Sequence, residues 1–214
     1  MEPTKRTDAP RRSVLLLACG ALAQELLTLK RLGGWDHVSI ECLPAQLHNT
    51  PRDIPEAVRA KLEDAKDRFD EIFVAYADCG TGGRLDAVLD EYGVERLPGS
   101  HCYEFFAGTK RFEELHEAEI GTFYLTDFLV RQFDALVIRG LGIDRHPELL
   151  SVYFGNYRRV VHLAQMPSAE LDAKARECAR QLGLEFESYT TGLDPLRQVI
   201  PITSDRSAAT EESR

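Results

Sequence analysis

The sequence predicts an α/β fold: a single domain with a mostly parallel sheet and helices on both of its faces. Two observations carry this prediction. Short runs of continuous apolar residues, as in "SVLLLA" and "EIFVAYA", are typical of strands that are buried on both faces. These runs alternate with amphipathic segments of helical period, which is typical of parallel strands joined by helical crossovers. At 214 residues the chain is long enough for one such domain with a sizeable core.

The first half of the chain alternates between candidate strands and candidate helices. The apolar runs are short and are bounded by turn-forming or charged residues, and Gly93 marks the end of a helix. We expect strands at 13–18, 37–43, 71–76 and 95–97, and helices at 22–32, 55–69 and 85–92.

The second half contains more helix and ends in a clear strand–helix–strand unit. Thr126 precedes an apolar segment and is a candidate helix N-cap. The polar ends of the chain, 1–12 and 201–214, are expected to be flexible tails around a domain at 13–200. We expect helices at 111–117, 126–133, 147–154 and 168–182, an apolar run at 135–138, and strands at 157–163 and 184–189.

Composition narrows the classes of function. The net charge of −9 argues against a nucleic acid or an anionic membrane as a partner, because both attract basic surfaces. No apolar run approaches the roughly 20 residues of a membrane span, and the run at 13–19 is too short for a signal peptide. We therefore expect a cytoplasmic protein, whose five cysteines are reduced thiols or metal ligands.

Thiols and imidazoles follow four successive strands of the predicted sheet. Cys19 follows the first strand directly, His48 follows the second, Cys79 follows the third, and His101 and Cys102 follow the fourth. Because ligands bind beyond the carboxyl ends of parallel strands, we expect these side chains to lie at one rim of the sheet.

These side chains predict a metal site, because thiolate and imidazole suit zinc or iron. The absence of a C-x-x-C pair from the sequence excludes a ribbon-like structural zinc site. Three thiols alone would instead hold an iron–sulfur cluster. The expected ligands are Cys19, Cys79 and Cys102, with His48 as the fourth and His101 as its alternate.

Two other interpretations of the loop "DCGTGG" stay open. Gly80, Gly82 and Gly83 resemble a phosphate cradle, but the G-x-G-x-x-G spacing fails because position 85 is Leu. Cys79 is also a candidate nucleophile, activated by the start of the next helix and paired with His101.

The remaining chemical candidates are carboxylates and the two other cysteines. Asp78 and Glu104 lie next to the predicted ligands and are the candidate proton carriers of a catalytic site. Cys42, inside a strand, and Cys178, on the apolar face of a helix, are expected to be core thiols. His162 lies within a predicted buried strand and is expected in the core.

Five stretches resemble a known family. "LLLACGAL", "LPAQLHNTP", "AYADCGTGG", "LPGSHCYEFFAGT" and "GTFYLTDFLV" are similar to the bacterial and archaeal proteins of the DUF1638 family, and the resemblance covers roughly 13–200. The family's motif reads His-Asp-Cys where this chain has Ser-His-Cys, which supports Cys102 better than His101. Members are often encoded beside corrinoid-dependent methyltransferases that act on methylamines.

The resemblance implies a role in one-carbon metabolism, and the residues imply a metal. The leading hypothesis is a zinc- or iron-binding α/β protein linked to methyl transfer, with a corrinoid protein or a methyltransferase as its partner. One alternative is a non-catalytic, metal-carrying accessory of such a system. The other is a metal-free hydrolase or transferase that uses Cys79 as its nucleophile.

Overall fold

The computed structural model describes residues 12–202, which form two parallel β-sheets with flanking helices. The strands are β1 (Val14–Cys19), β2 (Val38–Leu43), β3 (Glu71–Ala75), β4 (Glu95–Arg96), β5 (Thr122–Thr126), β6 (Arg159–Ala164) and β7 (Glu185–Thr190). The helices are α1 (Ala23–Gly33), α2 (Ile54–Ala65), α3 (Arg84–Tyr92), α4 (Cys102–Ala107), α5 (Thr109–Ala118), α6 (Asp127–Arg131), α7 (Leu149–Phe154), α8 (Ala169–Leu182) and α9 (Asp194–Val199). Shorter 3₁₀ turns span Gly20–Leu22, Ala45–Asn49 and Pro51–Asp53, and a π-helical turn spans Asp134–Ile138.

The strand order is β2-β1-β3-β4 in the first sheet and β5-β6-β7 in the second, with parallel pairing throughout the described residues. The predicted α/β class is therefore confirmed. The strands divide between two sheets because β4 has only two residues and β5 pairs with β6 rather than with the first sheet. Which strands pair is a long-range property that local sequence patterns leave open.

One inner strand of each sheet is fully buried. All six residues of β1 are buried, as its continuous apolar run predicts. All six residues of β6 are buried too, including two polar ones. Arg159 donates to Glu187 at 2.8 Å, and His162 Nε2 lies 3.0 Å from Asp127 Oδ1. His162 therefore belongs to the core, as predicted, and its polar ring has a buried partner.

Several local predictions differ from the structure. β5 was not expected, since a helix was predicted to begin at Thr126. Thr126 ends β5, and it is also the N-cap of α6, as predicted, with its hydroxyl accepting from the Leu129 amide at 3.3 Å. The segment around Cys102, expected as a loop, forms α4. Cys42, expected in the core, is exposed, because β2 is an edge strand in which only the first and last residues are buried.

The two sheets share an apolar core. The largest cluster of buried side chains is built on β1 and β3, and it also contains Tyr124 from β5 and Val161 and Leu163 from β6. A second cluster lies under α6 and α8 and includes Cys178, which is buried as predicted. The shared cluster is consistent with a single domain.

The predicted tails at 1–12 and 201–214 lie outside the described residues, apart from Arg12, Pro201 and Ile202. Across 12–202, none of the helices has both the length and the apolar character that crossing a bilayer takes.

Candidate metal centre

The carboxyl ends of the first sheet bring four of the predicted residues to one rim. Cys19 is the last residue of β1, and His48 lies in the 3₁₀ turn that follows β2. Cys79 follows β3 in the glycine loop, and Cys102 is the first residue of α4, beyond β4. The structure therefore places the residues at these four strand ends on one rim of the sheet, as expected.

Three of these residues form a compact group of potential ligands. The donor atoms of His48, Cys79 and Cys102 all lie within 4.8 Å of one another, and we call this group the triad. Cys102 Sγ lies 3.9 Å from His48 Nε2. Cys19 Sγ approaches the other ring nitrogen, Nδ1, at 3.8 Å. Cys19 therefore lies beside the triad, with the imidazole ring between it and Cys102.

The backbone at Cys79 is strained. Its φ of +48° makes it the one non-glycine residue with positive φ within 12–202. Its amide donates to the Ser100 carbonyl at 2.9 Å, and the Asp78 amide donates to the Gly99 carbonyl at 3.1 Å. These two hydrogen bonds join the loop after β3 to the loop after β4. Strain of this kind is typical of functional sites, where the surrounding structure enforces it.

The thiols differ in how readily they ionise. A hydrogen bond from the Cys102 thiol lowers the pKa of Cys79, and the same contact together with burial raises the pKa of Cys102. Burial raises the pKa of Cys19 to about 11. Burial and the nearby imidazole of His101 lower the pKa of His48, which favours the neutral ring that binds metals.

Asp78 closes the glycine loop. Its carboxylate accepts from the Thr81 hydroxyl at 2.7 Å, the Gly82 amide at 3.1 Å and the Gly83 amide at 2.8 Å. These bonds, led by that of Gly83, lower the pKa of Asp78 to about 2. An acid that stays ionised near neutral pH is a poor proton carrier, so the catalytic role of Asp78 stays a prediction that these contacts do not favour.

The three glycines have a conformational explanation. Gly80, Gly82 and Gly83 have φ of +84°, +63° and +79°, a region that other residues rarely adopt. The amides of Gly82 and Gly83, which a phosphate would use, already bind Asp78. Their predicted cofactor-binding role stays a prediction, and the loop geometry accounts for them without a ligand.

Glu104 and His101 lie at the start of α4. Glu104 Oε2 accepts from the Ser100 amide at 3.3 Å, which is a capping contact. His101 is exposed, and its extended backbone occupies the N-cap position of α4. It lies outside the triad, so the structure brings His48 rather than His101 to the two thiols.

A largely apolar cavity of about 180 Å³ adjoins the triad. The triad and Cys19 contribute to one part of its wall. Other lining residues come from segments that the sequence did not connect with the site: β5, α6, the π-helical turn and the segment after it. Apolar and aromatic lining residues include Tyr103, Phe105, Phe106, Phe123, Phe128, Leu129, Leu136, Val137, Leu141 and Phe154.

Tyr76 is a site residue that the sequence did not reveal. It lines the cavity and is 1% exposed, and its hydroxyl contacts the Cys19 thiol. The signal was its place at the end of the predicted strand at 71–76, ahead of Cys79. An aromatic residue at the end of a buried strand is usually packing, so the pattern alone did not distinguish it.

The fold and the rim define a class of protein: an α/β protein with a thiol–imidazole cluster beyond the carboxyl ends of a parallel sheet. By sequence, the chain belongs to the family described as Protein of unknown function (DUF1638), whose profile matches residues 42–200. That range contains the whole triad and begins after Cys19. Comparison with curated proteins and with solved structures gives no significant match.

Proposed function

We propose that the chain is a metal-dependent transferase in which zinc, held by His48, Cys79 and Cys102, activates a small nucleophile for transfer of a one-carbon group. The observation that carries this proposal is the triad itself, whose donor atoms lie within 4.8 Å of one another beside a cavity. Methyl transfer and a corrinoid or methyltransferase partner are the parts of the proposal that come from the family resemblance.

The donor set favours zinc with an open position. Two thiolates and one imidazole leave the fourth tetrahedral position free for a water or a substrate, as in catalytic rather than structural zinc sites. Cys19 Sγ lies 3.8 Å from His48 Nδ1. A contact at Nδ1 would fix the orientation of the ring while Nε2 binds the metal. Because the ring lies between Cys19 and Cys102, a single metal ion fits better than a cluster held by three thiols.

The chain's own residues would then position the reactants. Bound zinc would act as a Lewis acid that stabilises an anionic nucleophile. The joined loops after β3 and β4 fix the two thiols, and the apolar cavity wall excludes water from the open side of the site.

The metal content of purified variants tests the proposal. Protein purified anaerobically without added metal should contain about one zinc per chain by elemental analysis. His48→Ala, Cys79→Ala and Cys102→Ser should each lower metal affinity by tenfold or more, since each removes a ligand rather than an outer contact. Cys42→Ser, at an exposed thiol, and Cys178→Ser, at a thiol in the second cluster, are matched controls that should keep their zinc. A Cys79→Ala protein with its full complement of metal contradicts the site.

A second candidate function uses Cys79 as a nucleophile without a metal. Its lowered pKa and its strained backbone both fit an activated thiolate. Alkylation by iodoacetamide, with and without a chelator, separates the two candidates. One fast-reacting thiol in untreated protein supports the nucleophile. Protection of Cys79 and Cys102 that is lost on chelation supports the zinc site.

A further inference from the structure

The cavity beside the triad restricts which molecules can reach a bound metal. We propose that the site takes a small uncharged thiol, whose sulfur binds the metal and whose apolar tail fills the cavity. This inference rests on the proposed function and adds the chemical class of its substrate.

The size of the cavity sets the size of the tail. An apolar protein cavity of about 150 Å³ accommodates benzene, which has six heavy atoms. At about 180 Å³, this cavity therefore suits a ligand of roughly seven or eight heavy atoms. Larger cofactors, such as nucleotides, do not fit within it.

The wall excludes charge from the tail. None of the described residues that line the cavity is Lys, Arg, Asp or Glu, so a carboxylate or an ammonium group would be buried without a partner. Burying an unpaired charge is far more costly than burying an alkyl group. The polar groups in the wall, such as the Tyr76 hydroxyl beside the Cys19 thiol, are uncharged.

The donor set explains why the reactive atom is sulfur. A metal bound by two thiolates is matched to soft ligands, and a thiol bound to zinc loses its proton. In the binding step the S–H bond breaks, a metal–sulfur bond replaces the bond to water, and the proton goes to solvent. The product is a metal-bound thiolate surrounded by apolar side chains, which is a nucleophile suited to accepting a methyl group.

Cobalt-substituted protein provides the test, because thiolate binding to Co²⁺ gives charge-transfer absorption that can be titrated. A series of straight alkanethiols should bind about fourfold more tightly with each added methylene. The gain should level off beyond roughly seven or eight heavy atoms, where the cavity is full. Charged probes of similar length, 3-mercaptopropionate and 2-aminoethanethiol, should bind at least tenfold more weakly than 1-butanethiol.

Two tryptophan variants locate the binding. Leu136→Trp fills the cavity and should weaken 1-butanethiol binding at least tenfold while the protein keeps its cobalt. Leu32→Trp, at a residue of α1 that is 75% exposed, should leave binding unchanged. If Leu136→Trp does not fold, the wild-type series still decides the matter.

The outcomes separate the two proposals. Cobalt uptake with a chain-length series that levels off supports both. Cobalt uptake with no dependence on chain length, or with charged thiols bound as tightly as 1-butanethiol, overturns the thiol proposal and leaves the metal site standing. Failure to bind cobalt or zinc overturns the proposed function, and the thiol proposal with it.

Discussion

The strained backbone at Cys79 predicts an unusual order of stability among metal-free variants. A left-handed conformation, such as the φ of +48° here, costs a non-glycine residue roughly 1–2 kcal/mol. Glycine avoids that cost, but it loses about 0.4–1 kcal/mol relative to alanine because its unfolded chain has more conformational freedom. The difference leaves Cys79→Gly more stable than Cys79→Ala by about 1 kcal/mol. At an ordinary helical position the order is the reverse.

Urea unfolding of both variants in the presence of a chelator measures this difference. The chelator matters because both variants lack a predicted ligand, and residual metal would stabilise the folded state unequally. Ala173→Gly, at an exposed position of α8, is the control and should lose about 1 kcal/mol relative to wild type. If Cys79→Gly is less stable than Cys79→Ala, the backbone at Cys79 is not strained and the reasoning fails.

Two further predictions concern buried charges. Burial raises the pKa of Glu25, so its contribution to stability is present at low pH and is lost as pH rises through the raised pKa. Glu25→Gln should therefore stabilise the protein by about 1–3 kcal/mol at pH 8 and less at pH 5, and urea unfolding that shows an equal gain at both pH values contradicts this. Arg159 donates to the Thr122 hydroxyl and the Leu115 carbonyl as well as to Glu187, so Arg159→Leu should cost about 3 kcal/mol in the same assay. Glu187→Gln, which leaves the other two bonds intact, should cost clearly less, and an equal loss in both variants would refute this account of Arg159.

Much of the fold could be predicted from the sequence because the central strands are continuous apolar runs. β1 and β3 lie within a residue of their expected bounds, and α8 also matches closely. β5 was missed because "TFYLT" is short and runs directly into the cap of α6, so no separate strand was predicted ahead of the helix at 126–133. The division into two sheets depends on β5 pairing with β6, a contact between residues 37 positions apart in sequence, such as Thr122 and Arg159. Local periodicity contains no information on such a pairing.

The candidate site was predicted at the level of strand ends but not of side chains. Parallel strands place their carboxyl ends together, which is why His48, Cys79 and Cys102 could be expected at one rim. Which residue lies on which side of the His48 ring depends on rotamers and on the 3₁₀ turn after β2, and these follow from packing rather than from spacing. The cavity wall includes residues of β5 and α6, so it could not be foreseen without a prediction of β5.

The position of Cys79 is itself an argument that its sulfur has a function. The loop already contains three glycines with positive φ, so a fourth left-handed position would be satisfied most easily by glycine. A cysteine there stays strained, and burial of its thiol does not require that backbone conformation. The conformation does bring its sulfur within 4.8 Å of His48 and Cys102. Two backbone hydrogen bonds to the loop after β4 hold this strained conformation, and the arrangement that they hold is one in which the three donor atoms lie together.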